Sequence, residues 1–315
     1  MAGFEVILPF LRPIEHLIRD ASVSEIMVNA SQHVFVERAG VIEAVDGVTV
    51  AERFLQVAVR NIARTLGDEI SEEKPLLDAR LPDGSRVTAV MPPCSVGGTT
   101  LCIRKFQSQF FTLGQLVQAG SLAQSLAAHL TSAIEQHQNI LISGGTGTGK
   151  TTLLNALANG ISSTERIVLI EDTAEIQIDK PNLVRLEARR EQPNLPAVTI
   201  RDLLRSTLRL RPDRILLGEV RGGEAFDLLQ TLNTGHSGTL ATIHANSAVQ
   251  ALNRLSSCVL QAGIEVPYAA IRRSIADAVH IVVHLDRRGG RRVVSEVVEV
   301  SGLSPDADRF EVTRL

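Results

Sequence analysis

Two hydrophobic periods run along this chain, and the change from one to the other divides it. In the first hundred or so residues the apolar runs are short. Ile26-Met27-Val28 and His33-Val34-Phe35-Val36 flank the turn-prone Asn29-Ala30-Ser31, as paired strands would. Over residues 51–66, Phe54, Leu55, Ala58, Val59, Ile62 and Leu66 recur at helical spacing, and Gly67 follows as a helix stop. Residues 76–81 and 86–91 read as strands on either side of Pro82-Asp83-Gly84, where proline presets φ and glycine permits a positive φ. Residues 99–104 read as the last strand of this module.

From Asn139 onward the pattern becomes strand, glycine loop and helix, repeated. Ile140-Leu141-Ile142, Ile167-Val168-Leu169-Ile170, Ile215-Leu216-Leu217 and Thr239-Leu240-Ala241-Thr242-Ile243 are continuous apolar runs separated by helical segments such as 151–158. A parallel sheet covered on both faces requires such runs. The tail reads as a hairpin, with strands at 280–285 and 293–300 and a turn through Arg287-Arg288-Gly289-Gly290. The expected organisation is therefore a smaller mixed α/β domain over 1–105, a linker over 106–118, and a parallel-sheet α/β domain over 119–315.

Composition narrows the function classes. A chain of 315 residues with 44% hydrophobic residues can close two cores. The net charge of −3 is spread in both signs without a long Lys/Arg block, so no dedicated nucleic-acid site is evident. Cys94, Cys102 and Cys258 form no CxxC pair, which suits a reducing, cytoplasmic compartment. The first residues lack the basic flank of a signal peptide, and no window holds 18 uninterrupted apolar residues. Any membrane contact is expected to be peripheral.

The chemistry is concentrated in the second domain. Gly144-Gly145-Thr146-Gly147-Thr148-Gly149-Lys150-Thr151, followed by Thr152, fits G-x-x-x-x-G-K-[ST] directly after a strand and at the start of a helix. Glycines let backbone N–H groups turn inward around phosphate oxygens, and the helix N-terminus adds partial positive charge. Lys150 would reach the β- and γ-phosphates of ATP, and the Thr151 hydroxyl would ligate Mg²⁺. Hydrolysis also needs a carboxylate to orient or deprotonate water. Glu219 ends the apolar strand Arg214-Ile215-Leu216-Leu217-Gly218, with Gly218 where a generic Walker B motif carries an aspartate. Glu171 and Asp172 end another strand, and Glu175 lies one turn further; these would supply the missing metal support. His236 and His244 lie eight apart, a spacing that would share one face of a strand. A γ-phosphate sensor and a buried structural histidine are both open readings of them; a zinc site is not supported.

Four segments in order resemble the secretion ATPase superfamily of type IV secretion, type II secretion and type IV pili. They are the Walker A loop at 144–151, the Asp box Ile170-Glu171-Asp172-Thr173-Ala174-Glu175, the aspartate-less Walker B Leu217-Gly218-Glu219-Val220-Arg221, and the His box from Thr234-Gly235-His236 to His244-Ala245-Asn246. The lack of a tetra-cysteine element excludes the type II secretion branch. Arg209-Leu210-Arg211-Pro212-Asp213-Arg214 and Leu81-Pro82-Asp83-Gly84-Ser85-Arg86 look like the conjugal-transfer, TrbB-type branch. The resemblance implies a RecA-like P-loop fold and an ATP-hydrolysing motor that powers pilus assembly or substrate export. It also implies a six-membered ring, peripherally associated with the inner membrane and its secretion machinery, with nucleotide between the two domains. Glu219 would be the catalytic carboxylate and, with Thr151 and Asp172, a Mg²⁺ ligand; Asp172 and Glu175 would help to place Mg²⁺ or water, and His244 would lie near the γ-phosphate. Arg86 and Arg104 match the arginines that complete the site, with Arg205 and Arg209 as competitors. A RecA-type translocase, an ATP-gated scaffold and a small-molecule kinase are the competing functions, in falling order.

Overall fold

The structure, a computed structural model, describes residues 8–30, 33–81, 83–106, 111–189, 191, 195–304 and 309–315. The chain divides into two compact units, Met1–Ser108 and Gln109–Leu315. The first contains helix α1 (Glu15–Arg19), strands β1 (Val23–Asn29), β2 (His33–Arg38) and β3 (Val41–Ala44), helix α2 (Glu52–Thr65), and strands β4 (Leu76–Arg80), β5 (Arg86–Val90) and β6 (Thr100–Arg104). All six strands pair antiparallel in the order β3-β2-β1-β6-β5-β4. Helix α2 buries Leu55, Ala58, Val59, Ile62 and Ala63 at helical spacing. Phe54, counted on that apolar stripe, is instead 44% exposed, with the Arg53 guanidinium 4.7 Å from its ring centre. The Glu52 carboxylate accepts the Thr99 N–H at 3.0 Å and its hydroxyl at 2.6 Å, which fastens the helix start to the residue preceding β6.

The second unit begins with α3 (Leu113–Gln118) and α4 (Gln124–Glu135), then β7 (Ile140–Gly144), α5 (Lys150–Asn159), β8 (Ile167–Glu171), β9 (Leu183–Glu187), α6 (Ile200–Thr207), β10 (Arg214–Val220), α7 (Glu224–Asn233), β11 (Leu240–Ile243), α8 (Ala248–Leu260), α9 (Tyr268–Ala278), β12 (Ile281–Arg288), β13 (Arg291–Ser304) and β14 (Arg309–Arg314). Helix α3 falls inside the span read as a linker; Thr112 and Gln115 cap it reciprocally. Residues 107–110 of that span lie outside the described residues.

The eight strands form one sheet, ordered β14-β13-β12-β7-β11-β10-β8-β9. From β12 to β9 every pairing is parallel. Alternate residues of each strand enter opposite cores. Ile140, Ile142, Ile167, Leu169, Leu216 and Leu240 pack on one side, whereas Leu141, Val168, Ile170, Ile215, Leu217 and Ala241 pack on the other. Burial of both faces explains why these strands read as unbroken apolar runs. The tail adds a strand that the hairpin reading lacks, since β14 pairs antiparallel with β13. Its turn is Gly289-Gly290 alone, both at positive φ, the conformation of a tight two-residue hairpin. No helix among the described residues is long and apolar enough to cross a membrane.

Candidate nucleotide site

Parallel register brings the carboxyl ends of β7, β8, β10 and β11 to one edge of the sheet, where ligands bind in open α/β folds. The loop leaving β7 starts at Gly144, with φ +154°. A Cβ there would stand 2.6 Å from the Leu285 carbonyl oxygen and 2.6 Å from Thr148 Oγ1, so only glycine lets the loop run against β12. The buried Thr148 hydroxyl donates to the Gly145 carbonyl at 2.9 Å and braces the turn from inside, while Thr146 and Gly147 form an exposed tip. Gly149, at φ +97°, caps α5 without a side chain. The first N–H groups of that helix therefore face the loop with no side-chain acceptor at the cap, an anion cradle by geometry. Lys150 Nζ donates to the carbonyls of Gly144 at 3.0 Å and Gly145 at 2.8 Å. Burial lowers its pKa, and the nearby Glu219 partly restores it. Thr151 and Thr152 are half-buried on the first turn of α5.

The acids divide by role. Glu171, weighed above as metal support, is 2% exposed. Its Oε1 accepts the N–H groups of Glu175 and Ile176, each at 2.7 Å. It therefore shapes the loop that presents Asp172 and Glu175; that loop is irregular rather than a helical turn. Burial raises the Glu171 pKa, and these N–H bonds together with Arg185 work against the rise. The same side chain accounts for Gly218. A Cβ on residue 218 would lie 3.2 Å from Glu171 Cγ and 3.5 Å from the Ile170 carbonyl oxygen. The aspartate of a generic Walker B motif would press on Glu171, which would have to give by a few tenths of an ångström.

Glu219 follows on β10, its side chain 15% exposed. Its Oε1 lies 2.7 Å from His244 Nε2 without hydrogen-bond alignment, and its Oε2 accepts from Arg221 Nε at 2.6 Å. Arg221 Nη1 reaches Asp172 Oδ2 at 3.3 Å. His244 Nε2 is also 3.4 Å from Lys150 Nζ. Burial first, then the Lys150 charge, lowers the His244 pKa, while the Glu219 carboxylate works against the fall. Lys150, His244, Glu219, Arg221 and Asp172 thus form one continuous polar chain beside the loop. His244 is 46% exposed and is not a buried structural histidine. His236 lies in the turn before β11, not on it, so the two histidines share no strand face. Its buried Nδ1 has no hydrogen-bond partner.

Beside the loop lies a cleft of about 260 Å³ lined by Gly145, His244, Ala245, Asn246, Gln250 and Arg254. Gln250 and Arg254 are absent from the expected site residues, although their i, i+4 spacing just after His244 is visible in the sequence. Among the described residues no three His, Cys, Asp or Glu side chains gather as a metal-binding group. Mg²⁺ on a nucleotide draws most of its ligands from phosphates and water and needs only one or two protein oxygens. The Thr151 hydroxyl and the carboxylates of Asp172 and Glu219 are hard donors of that kind, so the residues present fit the ion.

Arg86 and Arg104 belong to the first unit, where they stand directly opposite each other on β5 and β6. Arg86 lies 3.9 Å from Asp78, and Arg104 is exposed. Of their competitors, Arg205 donates through Nε to Asp227 at 2.9 Å, while Arg209 is exposed after α6.

The family described as type II/IV secretion system protein matches residues 10–301. The conjugal transfer protein TrbB of Rhizobium radiobacter is 38% identical over 288 residues, covering 90% of this chain and 85% of that protein. The crystal structure of the VirB11 ATPase from the Brucella suis type IV secretion system is 33% identical, with a TM-score of 0.51 over 93% of this chain and 97% of that one. The Legionella pneumophila ATPase DotB, at 17% identity and a TM-score of 0.63 over 98% of this chain and 80% of its own, shares the fold.

Proposed function

Since the chain belongs to the type II/IV secretion system protein family, we propose that it is a Mg²⁺-dependent ATPase working as a ring motor in a conjugative or type IV secretion apparatus. One observation carries the reading. A lysine on the phosphate loop, a carboxylate at the end of β10 and an imidazole after β11 meet within 2.7–3.4 Å at one edge of a parallel sheet. The loop N–H groups and Lys150 hold the phosphates of ATP, and the Thr151 hydroxyl and Asp172 hold the metal. When bound, Mg²⁺ supplies positive charge against the phosphate oxygens. Glu219 orients the attacking water and takes its proton, and Glu175 helps to place that water. His244, next to Lys150, donates towards the γ-phosphate as charge develops there. Arg86 or Arg104 supplies a further cation to the site of a neighbouring subunit in a six-membered ring. Supplying charge from a second subunit couples hydrolysis to movement between subunits. The ring works peripherally at the inner membrane, on the machinery that assembles the pilus or exports substrate.

ATP turnover per subunit, measured against protein concentration with Lys150→Ala as the blank, tests the reading. Specific activity is expected to rise with concentration and then saturate as subunits complete one another. Constant activity across a range where sizing shows monomer becoming oligomer contradicts the ring mechanism.

A further inference from the structure

Arg221 stands among three acids. Its backbone is pinned just after β10 by Glu224, whose Oε1 accepts the N–H groups of Arg221 at 2.5 Å and Gly222 at 2.8 Å. From that fixed base the guanidinium lies along Glu219, with Nε and Nη2 both 2.6 Å from Oε2. It then reaches across to Asp172, at the end of the neighbouring strand β8, at 3.3 Å. Glu175 lies close enough to add to the same field. Asp172, Glu175 and Glu219 would otherwise present three carboxylates along this edge, and Glu219 already acts on Lys150, the residue that must receive a polyphosphate. The side chain is 61% exposed, so solvent can take the place of a carboxylate partner that it gives up.

We propose that Arg221 is a tethered counter-ion for this acidic edge: it neutralises Glu219 and Asp172 so that nucleotide can approach, and it yields Asp172 when a divalent cation seats. The inference rests on the ATPase reading and deepens it. Arg221 is a positioning residue that acts through the two carboxylates. A guanidinium and a hard metal ion compete for the same carboxylate oxygens, so the arginine sets how far nucleotide binding depends on metal. Without it, the freed acids repel the phosphates unless a metal intervenes.

The experiment measures the affinity of the full-length chain for a fluorescent ATP analogue, once in EDTA and once in saturating Mg²⁺. It compares the wild type, Arg221→Gln and Arg221→Lys, with matched melting curves. Arg221→Gln is expected to bind about tenfold more weakly in EDTA while staying within about twofold of the wild type in Mg²⁺. Arg221→Lys, which keeps the charge, recovers most of the EDTA affinity. An unchanged EDTA affinity in Arg221→Gln overturns the proposal. So does an equal loss in both buffers, which would mean that the arginine touches the phosphates directly or only supports the fold. A wild-type chain that binds no nucleotide in either buffer overturns the ATPase reading itself, a result distinct from the other two.

Discussion

At the scale of the residue, identities follow from neighbours. A Cβ on residue 218 would stand 3.2 Å from Glu171 Cγ, so Gly218→Asp presses a second carboxylate against a buried one. Overpacking and like charge together should cost at least about 1–3 kcal/mol, read as a lower urea midpoint with the slope unchanged. Lys150→Ala removes the cation that the loop wraps and should lower nucleotide affinity or turnover by orders of magnitude in a direct binding assay. The cysteines separate by environment as well. Burial first, then hydrogen bonding to Glu25, pushes the Cys102 thiol up to about 12, and burial raises that of Cys258, whereas Cys94 is exposed. A raised pKa keeps a thiol protonated until the pH approaches it, so at pH 8 a thiol-specific reagent should find one fast-reacting group per folded chain.

At the scale of the element, the loop after β8 is held by one carboxylate, and the orientation of Asp172 and Glu175 depends on it. Glu171→Ala leaves the N–H groups of Glu175 and Ile176 without their acceptor. Amide exchange over residues 173–178 should quicken, and turnover should fall more than nucleotide affinity, because the phosphate loop is untouched. This scale also shows what was readable before the structure. Strands β7, β8 and β10 announce themselves because a strand buried on both faces must be apolar throughout, and the phosphate loop because its contacts are contiguous in sequence. Strand β9 carries Arg185 in its middle and β14 mixes arginines with Phe310, so neither stands out by periodicity. Helix α3 is too short for its own period to show. Within the site, Lys150, Glu219 and His244 were legible from motifs. Arg221 bridging two strands and Glu171 turning inward depend on which strands become neighbours, and no local pattern records that.

At the scale of the whole molecule there are two units with separate cores: the second carries the phosphate loop and its acids, and the first carries Arg86 and Arg104. If those arginines serve a neighbouring subunit, Arg104→Ala should lower turnover while leaving the melting temperature unchanged, since its side chain is exposed. Normal turnover in that variant would pass the role to another cation.

The role proposed for Glu219 lies in the chemical step and not in holding nucleotide. It is tested most directly by measuring ATP binding and phosphate release on the same samples of wild type and Glu219→Gln. The variant is expected to keep ATP affinity within a few-fold while phosphate release falls by about 10²–10⁴. Release at the wild-type rate, or loss of ATP binding in step with turnover, would contradict it.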